Sequence, residues 1–324
     1  MADLRPDPVP TGATARRLSW PFLPKHIREL VEQRCGAPVV EAASQDGGFT
    51  PGFASVLTCA DGSRHFVKAA STVAQAAFAE SYRQEARKLA ALPRGVPAPL
   101  LLWSHDDDWV VLGIEYVEGR APARPWVRRE LDRCLDAIEA MTPALTPTPI
   151  PLDSFETAFA PFASAWDHVR ATRPDLSHLE EAAALAARFG EVVAGDTLVH
   201  TDLRDDNLLL GPDGEVWMCD WNWPVRGAAW LDTVFLLVQP RGDGLDVEGI
   251  VTERALTRDV PAESVDVVLA LLAGYFRKQG DQPAPPTSPH LRRHQAWCAE
   301  VTWDWLRARR GWKELDLGGP AARW

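Results

Sequence analysis

No two cysteines stand at CxxC spacing, and the five present are an odd number. The sequence therefore offers neither a disulfide framework nor a cysteine-based zinc site, and its expected compartment is a reducing cytoplasm. The first residues, MADLRPDPVP, contain no basic segment backed by an apolar stretch, and no run of about 18 uncharged apolar residues follows. Secretion and membrane spanning are not expected. Positive charge is also scarce. The 34 basic and 45 acidic residues give a net charge of −11, the wrong sign for a nucleic-acid partner, whose phosphates are held by clustered Lys and Arg. Most of that deficit lies in residues 160–240, with 5 basic and 13 acidic groups; residues 1–159 carry 17 and 20, and 241–324 carry 12 and 12. Tryptophan runs the other way, with 14 residues, expected first as core because large aromatics mostly pack inside.

At roughly 100 to 200 residues per domain, a chain of 324 residues suggests two lobes, and 46% hydrophobic with 24% charged residues marks a folded protein. Residues 1–24 hold five prolines and read as an irregular arm. The segment KHIRELVEQRC, with Pro24 before it and Gly36 after it, predicts a short helix. Short β-rich runs follow (VVEAAS, FASVLTCA, RHFVKAA, LLLW and WVVLGIEYV) and predict a small antiparallel sheet. A helix over 71–92 interrupts it and ends at Pro93. Beyond Gly119, helical periodicity covers 126–141, 153–170, 176–193, 228–238, 261–277 and 290–310. Only 197–219 there reads as strand. The expected organisation is an arm (1–24), a first lobe (25–118) and a larger helical lobe (119–324), an α+β arrangement.

The chemistry concentrates in His200-Thr-Asp202-Leu-Arg204-Asp-Asp-Asn207, which is followed by a strand, a turn, a second strand and then Asp220. Phosphoryl transfer needs one carboxylate to orient and deprotonate an acceptor hydroxyl, and separate oxygen ligands to hold Mg²⁺ on the phosphates. Asp202, Asn207 and Asp220 supply those groups; the same residues also read as a turn whose carboxylates bind backbone donors. Upstream, Asp46-Gly-Gly-Phe-Thr-Pro-Gly52 lies between two predicted strands, where glycines let N–H groups approach phosphate oxygens. Gly47, Gly48 and Thr50 are the candidates. Lys68, on the next strand, would reach the phosphates with Glu85 as its partner; each also reads as a solvated surface charge. Five residues at about 100° each put Glu80 some 140° from Glu85 around a helix, so only one of the two faces Lys68.

With these residues in place, the chain resembles the aminoglycoside phosphotransferase and small-molecule kinase branch of the protein-kinase-like superfamily. HTDLRDDN stands at its catalytic loop, Asp220 at its metal-binding aspartate, and EARKL, containing Glu85, at its helix motif. The resemblance implies a bilobal protein-kinase-like fold: an N-terminal antiparallel sheet with one main helix, and a larger, mostly helical C-terminal lobe. It implies ATP or GTP as donor, Mg²⁺ on Asn207 and Asp220, and Asp202 as base. By the same resemblance the Glu115 carbonyl and Val117 amide bind the nucleotide base, and Arg204 steadies the transferring phosphate, unless it forms an ion pair with Asp205 or Asp206. His200 and Asp232 are implied to brace the loop. Asp220 is followed by Trp221-Asn222 where protein kinases have Phe-Gly, which leaves one metal or two open.

The 134 residues from Lys68 to Asp202 leave room for helices before the catalytic loop, and only 12 separate Asp220 from Asp232, without Ala-Pro-Glu. That suits a small-molecule hydroxyl acceptor and not a protein substrate. The expected function is an ATP- or GTP-dependent O-phosphotransferase acting on an antibiotic. The alternatives are a metabolic kinase of the choline, homoserine or sugar type and a nucleotide-binding regulator without turnover. The balanced charge of the last segment, with Trp297, Trp303, Trp305 and Trp312, points to an acceptor of at most one or two positive charges stacked on an aromatic face.

Overall fold

The computed structural model describes residues 10, 12, 14–45 and 47–313; Asp46 and residues 1–9, 11 and 13 of the predicted arm lie outside the described residues. Helix α1 (Lys25–Cys35) starts after Pro24 and stops at Gly36, whose φ of 88° is a left-handed conformation glycine adopts without steric cost. Strands β1 (Val39–Ser44), β2 (Phe53–Cys59) and β3 (Arg64–Ser71) lead to helix α2 (Ala76–Ala91), followed by β4 (Leu101–Asp106) and β5 (Trp109–Glu115). The five strands form one antiparallel sheet in the order β1-β2-β3-β5-β4. Helix α2 begins later than the periodicity predicts, because Ser71 ends β3 and its hydroxyl accepts from the Val73 and Ala74 N–H groups to make a turn.

Alternation along the strands sorts their side chains between two faces. Phe53, Leu57, Val67, Ala69 and Val111 pack with Ile27 and Val31 of α1. Ala70, Val110, Leu112 and Ile114 join Ala79, Tyr82 and Leu89 of α2 on the opposite side. Helix α1 thus covers the face that α2 leaves open. Lys68 lies between Val67 and Ala69 in β3, so this alternation turns it toward α2.

The remainder contains α3 (Arg128–Met141), α4 (Phe155–Ala163), α5 (Ala165–Thr172), α6 (Leu179–Ala187), α7 (Phe189–Val192), the short strands β6 (Thr197–Val199), β7 (Leu208–Leu210), β8 (Val216–Met218) and β9 (Val225–Gly227), and then α8 (Leu231–Gly242), α9 (Val247–Glu253), α10 (Ala262–Gly280) and α11 (Leu291–Arg310). Helix α10 is buried from Val265 to Gly274 and forms the centre of this lobe. At Gly274 the Trp166 indole lies where a Cβ would be, 2.6 Å from its Nε1, and that nitrogen donates to Ala270 O at 3.0 Å. Helices α3 to α7 lie between the end of β5 and Asp202.

Several expectations need correction. The segments 153–170 and 176–193 are each two helices, the first broken at Ser164, three residues beyond Pro161. Strand β9 lies outside the 197–219 window and pairs antiparallel with β6. Helix α9 was not foreseen. No helix among the described residues is long and apolar enough to cross a membrane.

Candidate active site

The sheet and α2 bring Lys68 and Glu85 together. Lys68 Nζ donates to both Glu85 oxygens, at 2.7 and 2.9 Å, and to Asp220 Oδ1 at 2.8 Å. Glu80 points elsewhere: it is half exposed and bonds to Arg83 and Gln84. One ammonium therefore serves two carboxylates. Burial opposes charge on Lys68, but the Asp220 and Glu85 carboxylates outweigh it and raise its pKa. Glu85, the more enclosed of the two acids, is pushed up to about 7 by burial despite Lys68. Burial also acts to raise Asp220, yet Lys68 and Arg204 hold it below its ordinary value.

The loop over residues 200–207 is fixed from beneath. Asp232 accepts from the backbone N–H of His200 at 2.7 Å and of Thr201 at 2.8 Å. His200 Nδ1 accepts from the Asp202 N–H at 3.3 Å, so the ring carries its proton on Nε2, which donates to Cys219 O at 2.9 Å. His200 thus anchors the loop to the residue before Asp220. Thr201 and Asp220 have φ of 69° and 64°, conformations that non-glycine residues adopt at a cost. Both flank the place where the two loops meet, and Thr201 Oγ1 donates to Trp223 O at 2.8 Å.

Asn207 donates from Nδ2 to Asp202 O at 2.8 Å and to Asp202 Oδ2 at 3.1 Å, which orients the Asp202 carboxylate and leaves the lone pairs of the Asn207 amide oxygen without a hydrogen bond among the described residues. Together with the Asp220 carboxylate this is an all-oxygen set, the hard chemistry that Mg²⁺ prefers, and the residues fit that ion. Arg204 lies with its Nε 2.9 Å from Asp206 Oδ1 and 3.6 Å from Asp202 Oδ1. The shorter contact is an ion pair without hydrogen-bond alignment. Burial acts to lower Arg204, but Asp202 and Asp206 outweigh it.

Of the glycine-rich segment, Gly47, Gly48 and Thr50 are described. Gly48 has a φ of 84°, and a Cβ there would lie 3.4 Å from Arg17 Nη2 and 3.6 Å from Asp206 Oδ2. The Gly47 and Gly48 carbonyls accept from Thr14 Oγ1 at 3.2 and 2.7 Å. The N–H groups of Gly47, Gly48 and Thr50 have no partner among the described residues. Phe49 O accepts from Ser288 Oγ at 2.6 Å, and Arg204 lies 5.2 Å over the Phe49 ring. The segment thus folds down onto the loop that carries Arg204 and Asp206. Glu115 ends β5 opposite His65 of β3, and beyond it the Val117 N–H has no partner among the described residues.

A cleft of about 1350 Å³ opens beside Asp202 and Asp220. Its acids are Glu80, Asp153, Asp202 and Asp220, and its bases Arg87, Lys88 and Arg204, so no acidic wall lines it. Its floor is aromatic: Phe162 and Tyr275 stack at 3.7 Å, Phe159 meets Phe162 at 4.7 Å, and Phe276 meets Tyr275 at 5.4 Å. Trp223, 62% exposed, stands at the rim. The C-terminal tryptophans do not form this face. Trp305, Trp303 and Trp297 are 0%, 5% and 8% exposed and are core because α11 packs along α10, while half-buried Trp312, beyond the end of α11, stacks on His178. Sequence reading also missed Asn222. It donates to Asp220 Oδ1 and accepts from Ser81 Oγ and Lys88 Nζ, tying α2 to the Asp220 carboxylate. Its place two residues after Asp220 was the available signal.

Comparison with known proteins now bears on this geometry. Residues 53–261 match the profile of the phosphotransferase enzyme family. No curated protein matches the chain. Among solved structures, a spectinomycin phosphotransferase in complex with ADP and spectinomycin aligns with a TM-score of 0.57 at 11% identity, covering 87% of this chain and 98% of its own. An aminoglycoside phosphotransferase from Alicyclobacillus acidocaldarius aligns at 0.55 and 16%, covering 84% and 92%. A choline kinase from Streptococcus pneumoniae aligns at 0.55 and 13%, covering 86% and 100%. These likenesses are of fold.

Proposed function

The chain belongs to the phosphotransferase enzyme family, and from that membership and the geometry of its cleft we propose that it transfers the γ-phosphate of ATP or GTP to a hydroxyl of a small molecule, an antibiotic foremost. The observation that carries this reading is Lys68 held between Glu85 and Asp220, with Asp202 and Asn207 bonded to each other on the neighbouring loop. Residues 25–118 bind the nucleotide and 119–324 supply catalysis and the acceptor site.

In this mechanism Lys68 and the N–H groups of Gly47, Gly48 and Thr50 hold the phosphates, while the Glu115 carbonyl and Val117 amide hold the base. Mg²⁺ on Asn207 and Asp220 supplies neutralising charge to the phosphate oxygens when bound. Asp202 takes the proton of the acceptor hydroxyl at its carboxylate as that oxygen bonds to the γ-phosphorus. The bond to the bridging oxygen breaks, and nucleoside diphosphate leaves. Arg204 offsets charge beside Asp202. The cleft's near balance of charge and its aromatic floor support an acceptor with at most one or two positive charges.

A metabolic acceptor of the choline, homoserine or sugar type uses the same residues, and the aromatic floor suits a quaternary ammonium as well. A cytoplasmic setting is part of this proposal, as is the lack of nucleic-acid, membrane and protein-substrate partners. The test is nucleoside diphosphate release with ATP and with GTP across a panel of hydroxylated antibiotics and metabolites, followed by product mass. A mass gain of one phosphoryl group on an acceptor supports the proposal. Tight nucleotide binding with no product from any acceptor refutes it in favour of a regulator without turnover.

A further inference from the structure

On the α1 side of the sheet, away from the cleft, three soft ligands converge. Cys35 ends α1, Cys59 ends β2 and His65 lies in β3, and one ligating atom from each lies within 4.8 Å of the other two. Neither cysteine is in a disulfide. The β2–β3 turn fixes the imidazole. Ser63 Oγ donates to Asp61 Oδ1 at 2.7 Å, so at 3.2 Å from His65 Nε2 it serves as acceptor and places the ring proton on Nε2. The lone pair is left on Nδ1, which is buried and has no hydrogen-bond partner among the described residues. A buried acceptor left without a partner is costly to the folded state. A histidine whose second nitrogen is held by a hydrogen-bond relay is also the arrangement that orients metal-binding imidazoles.

We propose that Cys35, Cys59 and His65 form a binding site for a thiophilic divalent cation of the zinc class, with water as the fourth ligand. Two sulfurs and one imidazole suit such an ion and disfavour the hard Mg²⁺. Zn–S near 2.3 Å and Zn–N near 2.0 Å put tetrahedral ligand atoms roughly 3.5 to 3.8 Å apart, so a trio within 4.8 Å needs to close by at most about an ångström. The balance is simple: the cation bonds to both sulfurs, each thiol gives its proton to solvent, and the site ends neutral with no oxidant consumed. The ion would join the end of α1 to the β2–β3 hairpin and so hold that helix on the sheet. The absence of CxxC hid the site, because the ligands come from three separate elements.

The experiment is titration of the reduced full-length protein with Cd²⁺, read by the thiolate-to-metal charge-transfer band, with Zn²⁺ as competitor in excess Mg²⁺. One Cd²⁺ per chain is expected, displaced by Zn²⁺ and not by Mg²⁺. Cys35→Ser and His65→Ala should each weaken binding at least tenfold, while Cys134→Ser leaves it unchanged. His65 is half-buried, so its variant keeps the test available if Cys35→Ser misfolds. Zn²⁺ should raise the unfolding midpoint of the parent and not of His65→Ala. No band in the parent, an equal band in His65→Ala, or spontaneous loss of two thiols to a Cys35–Cys59 disulfide that Zn²⁺ fails to prevent would each overturn the proposal.

Discussion

Replacing Glu85 by alanine removes two hydrogen bonds to Lys68, at 2.7 and 2.9 Å, from a side chain only 1% exposed. A hydrogen bond to a charged group contributes about 1.5–3 kcal/mol. The ammonium does not lose every partner, because Asp220 remains 2.8 Å away. The cost is therefore one such interaction and not the larger penalty of an isolated buried charge. At about 1.4 kcal/mol per decade, nucleotide affinity should fall roughly 10- to 150-fold, and Lys68 should draw toward the Asp220 carboxylate. Glu85→Gln keeps the shape and should lose less. Glu80→Ala is the control, since Glu80 contacts Arg83 and Gln84 at the surface, and should change affinity less than about twofold on the estimate for exposed pairs. Isothermal titration with Mg²⁺-ATP and Mg²⁺-GTP, with unfolding midpoints checked in parallel, measures all three. If Glu80→Ala weakened binding as much as Glu85→Ala, or Glu85→Ala bound within about twofold of the parent, the assignment of the lysine's partner would be wrong.

Asp202→Asn should cut turnover by the roughly 10²–10⁴-fold attributed to a general base and leave nucleotide affinity near the parent value, as read by single-turnover kinetics beside titration. Asp220→Ala should abolish turnover and also the Mg²⁺ dependence of nucleotide binding, which titration with and without chelator detects. Burial raises Glu85 from 4.5 to about 7, so the folded chain holds this proton more tightly than the unfolded chain does. That contribution to stability is complete below about 4.5 and fades as pH rises through 7; Glu85→Gln should flatten the corresponding slope in denaturant unfolding measured across this range. Tyr275→Ala should raise the acceptor KM several-fold with nucleotide KM unchanged, and equal changes in both would refute an acceptor role for the aromatic floor.

Much of this site was legible because its parts are local. Alternation along RHFVKAA determines which face carries Lys68, and helical angle separates Glu80 from Glu85. The interval from Asp202 to Asn207 spans one loop, and its geometry follows from a few bonds within that loop. What stayed hidden depends on distant partners. Strand β9 is three residues long and exists because β6 pairs with it. Trp303 and Trp305 look like any aromatic pair on a helix until α10 is laid against α11. Asn222 gains its role only when α2 brings Ser81 and Lys88 to it. The same reason hid His65, whose orphaned nitrogen is visible only in three dimensions.

The bond from Ser288 to the Phe49 carbonyl spans 239 residues of chain, and its consequence belongs to the life of the polypeptide before it is complete. At roughly 5–20 residues per second, on the order of 10 to 50 s separate synthesis of the glycine-rich segment from that of its latch. Once β5 has been made the first lobe can form its sheet and its Lys68–Glu85 pair, but Phe162 has no Tyr275 to stack on until α10 follows, and Phe49 no His294 until α11 does. The nascent chain is thus a sheet with an open mouth, exposed to chaperones and proteases, and the cleft closes over only when α11 has left the ribosome.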